Sequence, residues 1–548
     1  MWLAVAADRC VGQGTDAGAL LKQAVSYEKQ RQYEQAEAIY KSVLANSADS
    51  NDALKAQERL CCLYINWGKG EETETAYQAL LNGFVSSSGL VEAVDHVGDK
   101  YREIGDYRKA LELYRYVVSR WPGAERTVQS QGGVARVYIK LGDEPNAAAA
   151  VDRLIGEFGD RKDAVDVVDS VADEYRDCKR YAEAMGLYRR VAARWPASEQ
   201  ACGSLASVAR IYILGGDDAN AIEITGRLKA DFAANKGLGD AIEEIAYTYH
   251  HKGGNYGKAL ELYGWVVANR PSCRRAIRAQ MGIAKVYAET GDDANAEAAI
   301  DKLIANYSDN KGIAEAVESV GDKYRGIGRY DKARELYEMV VSRWPGDDYA
   351  AAALIDATKA DIEARIAAGD DANALTEVDG MAVGFNGDSG MAKALFQMGE
   401  KFYRRAFVNI EQGFEVESQD SFAKAATVWK KIIALAGSEK MQEAYYFSAS
   451  CYQHLGKYDE AIEYYEKVVS EWPGCRDAAR SQYMVGRCYD ELEKAGVIPS
   501  KDAVVLMREA CEKVLANYPS SRVVKAAQDL LQQVDFMESV NKAEGRSK

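Results

Sequence analysis

Four histidines, ten cysteines and a set of evenly spaced carboxylates are the side chains in this 548-residue chain with the types to do chemistry. The histidines are His96, His250, His251 and His454. Zinc or hydrolytic chemistry needs such residues at ligand spacing, as in HExxH or paired CxxC, and neither pattern occurs. His250-His251 directly follow Tyr249 near the end of a helical segment and read as solvated or groove-lining. Cys61, Cys451, Cys488 and Cys511 fall on helix positions that want a small apolar residue, so core packing is their expected use. The run Gly253-Gly254-Asn255-Tyr256-Gly257-Lys258 lacks the spacing, the following Ser/Thr and the preceding strand of a phosphate loop. Gly-Asp-Asp-Ala-Asn recurs at 216–220, 291–295 and 369–373, but a calcium loop draws its ligands from about a dozen residues. These short turns run straight into helix and read as helix caps. No cofactor, no metal and no catalytic set is expected, and the chain reads as a non-enzyme.

The carboxylates carry the most pattern. They lie at i, i+3 and i+7 on one helical face: Glu92, Asp95 and Asp99; Asp166, Asp169 and Asp173; Glu315, Glu318 and Asp322. The corresponding segment in between holds Asp240, Glu243 and Tyr247. Arg136, Arg210 and Lys285 stand in register with Asp99, Asp173 and Asp322. Acids and bases on adjacent helices would neutralise each other and help set stacking, at a few tenths of a kcal/mol per pair. The excess of acid would also attract a basic segment. Both readings stand at this level.

The elements that must position these residues repeat. Tyr recurs at 27, 64, 101, 138, 175, 212, 249, 287, 324, 452 and 489, in steps of 37 residues apart from one of 38 and a stretch continued by Arg365 and Phe402. That makes thirteen units, each of a size that signals stacked helical hairpins. A small residue precedes the Tyr by three, as in Gly98, Ala172 and Gly321. Thirteen residues after it there is often an aromatic, as in Tyr114, Tyr188 and Tyr337. The small residue lets two helices approach and the ring fills the space beside it. A Gly-Asp turn separates the helices, and Trp-Pro closes the second at 121–122, 195–196, 344–345 and 472–473. The units alternate, so the larger block is a pair of hairpins about 74 residues long. Few Pro (8) and many Tyr (34) agree with a helical array that reuses one position.

Ala449, Tyr452, Gly456, Tyr458, Ala461, Tyr465 and Pro473 fall in the register of the tetratricopeptide repeat, and the chain resembles that family over about residues 17 to 520. The early Trp of the family is missing in most units, and Ile362 stands where a small residue belongs. The resemblance implies an all-α, right-handed solenoid of about 13 helix-turn-helix repeats, closed by an amphipathic capping helix near residues 520–535. It also implies that first helices line a concave groove. Asp95, Asp99, Arg136, Asp169, Asp173, Arg210, Glu243, Tyr247, His250, Lys285, Glu318 and Asp322 would then form the partner-binding surface. The repeat style is similar to bacterial envelope proteins of the outer-membrane assembly and Tol-Pal accessory kind, which implies a scaffold for a protein or peptide with basic segments. A structural subunit of a larger assembly is the alternative. A periplasmic or envelope location is implied by the same resemblance.

A formal net charge of -15 argues against nucleic acid as a partner, since phosphate binding needs clustered Lys and Arg. No apolar run is long enough to span a bilayer. Residues 1–16 read as a disordered or processed N-terminus, 17–350 as an N-terminal superhelix and 351–425 as irregular repeats with an insertion. Residues 426–536 read as a C-terminal array with its cap, and 537–548 as a flexible tail. The oligomeric state stays open.

Overall fold

The computed structural model describes residues 17–46, 50–384, 389–435, 437 and 440–546, so the expected N-terminal segment 1–16 lies outside the described residues. Every regular element among the described residues is helical. The chain divides into two compact units, up to Ala279 and from Gln280 onward.

The first unit opens with the hairpins α1 (Ala17–Lys29) and α2 (Tyr33–Asn46), then α3 (Asn51–Trp67) and α4 (Gly70–Gly83). There follow α5 (Leu90–Glu103) and α6 (Tyr107–Arg120), then α7 (Arg126–Leu141) and α8 (Glu144–Phe158). Next come α9 (Ala164–Asp177) and α10 (Tyr181–Arg194), α11 (Glu199–Leu214) and α12 (Asp218–Asp231), and α13 (Leu238–Thr248) and α14 (Tyr256–Asn269). The division falls inside α15 (Ala276–Thr290), whose hairpin partner is α16 (Asp293–Tyr307). The second unit continues with α17 (Ile313–Gly326) and α18 (Tyr330–Arg343), α19 (Asp348–Ala368) and α20 (Asp371–Gly384), and α21 (Ser389–Glu411) and α22 (Glu415–Ile433). It ends with α23 (Met441–His454) and α24 (Tyr458–Glu471), α25 (Ala478–Lys494) and α26 (Ser500–Asn517), and the closing α27 (Val524–Arg546). Each odd-numbered helix up to α25 is the first of a hairpin. Successive first helices touch one another, as α5 with α7 and α7 with α9, and α17 with α19 and α19 with α21. This is the nearest-neighbour stacking of a solenoid.

The local causes are those the repeat implies. Gly98 and Gly321 abut the rings of Tyr114 and Tyr337, where an added Cβ would come within 3.0 and 2.9 Å. Tyr114, Tyr188, Tyr263, Tyr337, Tyr465 and Trp429 are fully buried. The Gly-Asp turns cap the second helices. Asp143, Asp217 and Asp292 each accept the backbone N–H three residues on, and the Asn there donates its amide back to the same carboxylate at 2.7, 2.6 and 2.7 Å. Both oxygens of the motif's first Asp are thus taken up by helix capping, as expected.

One unit adds a residue. The 38-residue step runs from Tyr249 to Tyr287, and a π-helical turn over Tyr249–Gly253 absorbs the extra residue. A single insertion widens one helical turn without breaking the helix.

The irregular stretch is also helical. Its extra residues lengthen α19, α21 and α22 to 21, 23 and 19 residues. Ile362 is fully buried with Ile355, Ile366 and Ala374, although a small residue was expected there. Val378 occupies the place of the aromatic in this hairpin, so a larger residue on one helix offsets a smaller one on the other. The closing helix α27 extends beyond residue 537, to Arg546. Arg508 bridges Asp535 and Glu538, and Asn541 donates to Ser500, which carries the helix past its apolar stripe.

Candidate functional site

The C-terminal ends of α5, α9 and α17 share one arrangement. Tyr114 donates to Asp99 at 2.6 Å, Tyr188 to Asp173 at 2.5 Å and Tyr337 to Asp322 at 2.9 Å. Arg102, Arg176 and Arg325, each three residues beyond the Asp, reach both the carboxylate and the phenolic oxygen. The three Asp carboxylates remain part-exposed, at 32, 41 and 48 %. These rungs therefore hold the two helices of their own hairpin together and show only a remaining edge to solvent. The arginines escaped the sequence reading, although Asp-x-x-Arg places both side chains on one helical face.

One turn earlier lies a deeper row: Asp95, Asp169, Glu243 and Glu318. Asp95 is buried, accepts from Arg126 Nε at 2.7 Å and from Ser130 Oγ at 2.5 Å, and burial raises its pKa. Glu243 is buried between Arg275 at 3.2 Å and Arg278 at 3.7 Å, and burial again raises its pKa. Asp169 accepts from Ser204 with Gln200 standing where Arg126 stands for Asp95, and burial pushes it up to about 6. Burial pushes Glu318 up to about 7, helped by the neighbouring Asp322, Asp356 and Glu315.

The bases do not pair with Asp99, Asp173 and Asp322 as their register suggested. Arg136 donates to Ser170 at 2.9 Å, Arg210 contacts Glu244 at 3.4 Å and Lys285 donates to Ser319 at 2.6 Å. Each reaches a residue on the following first helix, immediately after the deep carboxylate. The Asp residues have their own Arg three positions on, a nearer partner than a base on another helix. Burial and the nearby Arg102 lower the Arg136 pKa.

The unit with the π turn replaces the Asp–Arg pair by Tyr247 and His250. Tyr247 is exposed and stacks on His251 with centroids 4.0 Å apart. His250 is buried edge-on to Tyr263 and Tyr256. It is a core residue, whereas Tyr247 and His251 are exposed.

The first-helix face carries a recess in each unit. About 430 Å³ opens between the N-terminal ends of α5, α7 and α9, lined by Glu92, Glu125, Arg126, Gln129 and Asp163. About 460 Å³ opens across α17, α19 and α21, lined by Asp322, Arg325, Asp348, Asp356, Lys359 and Lys393. Lys359 is buried against Asp356 at 3.2 Å, and burial lowers its pKa. It stands 37 residues after Asp322, so the same step that found the other rungs points to it.

Among the described residues no group of three or more His, Cys, Asp or Glu is arranged to hold a metal ion. Cys61, Cys451, Cys488 and Cys511 are buried free thiols, and burial pushes Cys488 up to about 12. Among the described residues no helix is long and apolar enough to cross a membrane.

Family models described as tetratricopeptide repeat match residues 18–50, 98–162, 249–311 and 440–496. No curated protein matches the chain. Among solved structures the chain is similar to Naa15 in its complex with Naa10 and HypK, at 14 % identity over 90 % of this chain and 88 % of that one, with a TM-score of 0.32. It is similar to yeast Tom70 at 12 % identity over 96 % of both chains, with a TM-score of 0.27. A tetratricopeptide repeat protein from Parabacteroides merdae matches at 13 % identity over 48 % of this chain and 96 % of that one, with a TM-score of 0.25.

Proposed function

We propose a partner-holding role for this chain, which belongs to the tetratricopeptide repeat family and is a protein-interaction scaffold. The first-helix face of each unit takes an extended segment or a helix of a protein partner, one that carries basic side chains. The observation behind this reading is the recess of the first unit, which runs across three successive first helices with Glu92, Glu125 and Asp163 against Arg126 in its wall. A concave acidic surface concentrates a basic segment and favours its docking over that of an acidic one. The role is one of binding, not turnover. An envelope location rests on the repeat style alone.

The test removes acids that carry little of the fold. Glu92, Asp166 and Glu315 are exposed, whereas Asp99, Asp173 and Asp322 each hold a buried Tyr. Partner capture from the native source by the full chain is compared with capture by the Glu92→Gln, Asp166→Asn, Glu315→Gln variant across a salt series. The variant is expected to capture less and to respond less steeply to salt. Equal capture at every salt concentration would remove the acidic-face reading.

A second reading has its own observation. Phe407, Val408, Ile410, Phe414 and Val416 are exposed around the turn between α21 and α22. Such a cluster favours a permanent contact in a larger assembly. A stable oligomer or co-purifying subunit on sizing supports this; a clean monomer counts against it.

A further inference from the structure

Both recesses on the first-helix face have carboxylates in their walls, in keeping with a chain of net charge -15. A third recess, of about 380 Å³, does not. It is lined by the second helices α6 and α8 of two successive hairpins and by α7, which lies between them in the chain. Arg115 and Arg153 stand in its wall, and no carboxylate does. Val118, Val134 and Ala150 are buried and form its floor, while the two arginines are exposed.

Arg115 makes no ion pair among the described residues. Its Nη2 donates to the phenolic oxygen of Tyr138, and its guanidinium lies 5.6 Å from the centre of that ring. This contact holds the guanidinium at the recess. Tyr138 is the acceptor, so its own hydrogen stays available to an incoming group. At the same repeat position Tyr64 donates to Glu37 at 2.6 Å and Tyr175 to Glu144 at 3.0 Å. Arg153 pairs with Glu157 at 2.9 Å, and both side chains are about half exposed, so that pair is weak and readily exchanged. Asp152, next to Arg153 in the chain, is held by Arg190 at 2.7 Å. The recess therefore offers two cations and a phenolic donor above an apolar floor.

The next pair of hairpins repeats the motif with a different wall. There, 74 residues on, Arg189 donates to Tyr212 at 2.8 Å and Arg227 stands for Arg153. Leu205 and Ile224 replace Gln131 and Ala150, and Glu223 replaces Ala149. Larger apolar side chains thus occupy the floor positions, and an acid stands where the first pair has none. Ala149 and Ala150 leave room beside Arg115 and Arg153 and bring no negative charge of their own.

We propose that this recess seats an acidic side chain, a Glu or Asp on a peptide segment of a protein partner. Its carboxylate accepts from Arg115, Arg153 and the Tyr138 phenol, and its methylene groups lie on Val118 and Val134. Arginine suits such a carboxylate because its planar fork of donors matches the two oxygens. The surface is separate from the first-helix recess and takes the opposite charge, so it does not rest on the acidic-face reading.

The probe is a bead-displayed library of short acetylated, amidated peptides with randomised residues, screened with the full-length chain. The wild type is expected to enrich peptides with Glu or Asp fixed at one position. Changing that residue to Gln or Asn in a selected peptide should weaken binding roughly tenfold, the worth of a charge-assisted contact. Arg115→Gln should bind the parent peptide no better than the wild type binds the neutral form. Ala149→Glu keeps both arginines and the Arg115–Tyr138 contact, alters an exposed position to the residue of the next pair, and should lose the peptide to the same extent. The Glu92→Gln, Asp166→Asn, Glu315→Gln variant should bind it as the wild type does. If the acidic peptide binds both recess variants as tightly as the wild type, or is lost from the triple variant instead, the carboxylate is held elsewhere and the proposal is overturned. Enrichment of no acidic peptide overturns it as well, and leaves the first-helix reading, which concerns basic segments, untouched.

Discussion

Tyr114 donates its phenolic hydrogen to Asp99 across 2.6 Å and so ties α6 back onto α5. The same bond recurs from Tyr188 to Asp173 and from Tyr337 to Asp322. A phenol buried this far from water needs an acceptor, and a carboxylate steadied by Arg102 is a strong one. Tyr114→Phe is expected to lower stability by roughly 1–2 kcal/mol. Because repeat arrays can open piecewise, amide exchange in α5 and α6 is the measurement to make. Unchanged protection there would mean that the bond contributes nothing net.

Lys179 stands in the left-handed region, at φ 60°, where the equivalent turns carry Gly105 and Gly328 at 84° and 80°. A Cβ disfavours that conformation by roughly 1–2 kcal/mol, partly offset by the greater freedom of Gly in the unfolded chain. Lys179→Gly is therefore expected to raise stability by roughly 0.5–1 kcal/mol, and Gly105→Lys to lower it by a similar amount. Calorimetric melting of both variants checks the pair of opposite signs.

Ile362 and Val378 trade volume in a hairpin where other units pair Gly with Tyr. Ile362→Ala alone should cost roughly 2–4 kcal/mol through the cavity it leaves. Val378→Tyr alone should overpack the same space, at roughly 1–3 kcal/mol. Ile362→Ala with Val378→Tyr restores the arrangement of Ala172 and Tyr188. The double variant should then lose less than the sum of its single changes, which a double-mutant cycle by denaturant titration measures.

Glu318 sets a pH dependence of stability. Its carboxyl titrates near the ordinary 4.5 when unfolded and near 7 when folded. Between those values the folded chain holds more protons than the unfolded one, so stability falls as pH rises through this window and levels off above it. Glu318→Gln should flatten the fall and raise stability near pH 8 by roughly 1–2 kcal/mol. Identical melting of the variant and the wild type at about pH 8 would contradict this.

Much of the architecture was legible in the order of residues. The 37-residue step of Tyr, the small residue before it and the Gly-Asp turn after it correspond to hairpins in the structure, because helix period and capping are local. The single 38-residue step marks the repeat in which the π turn lies, but its place at Tyr249–Gly253 came from the structure. The candidate surface was legible only in part. Asp99, Asp173 and Asp322 stand out by register, yet register carries no information on depth. Their fixed partners are Arg102, Arg176 and Arg325 on the same helix and a Tyr on the next, while the bases singled out from the pattern bond elsewhere.

The sequence by itself determined that this is a stacked helical array and where most of its inter-helix turns fall. Those properties follow from backbone geometry within one turn or one hairpin. Only the tertiary structure decided which carboxylates are neutralised. That balance depends on what the next first helix, more than thirty residues away, places within about 3 Å of each one. Asp95 meets Arg126, Glu243 meets Arg275, and Glu318 meets Tyr349, a difference that no periodicity records because it lies in side-chain packing between repeats.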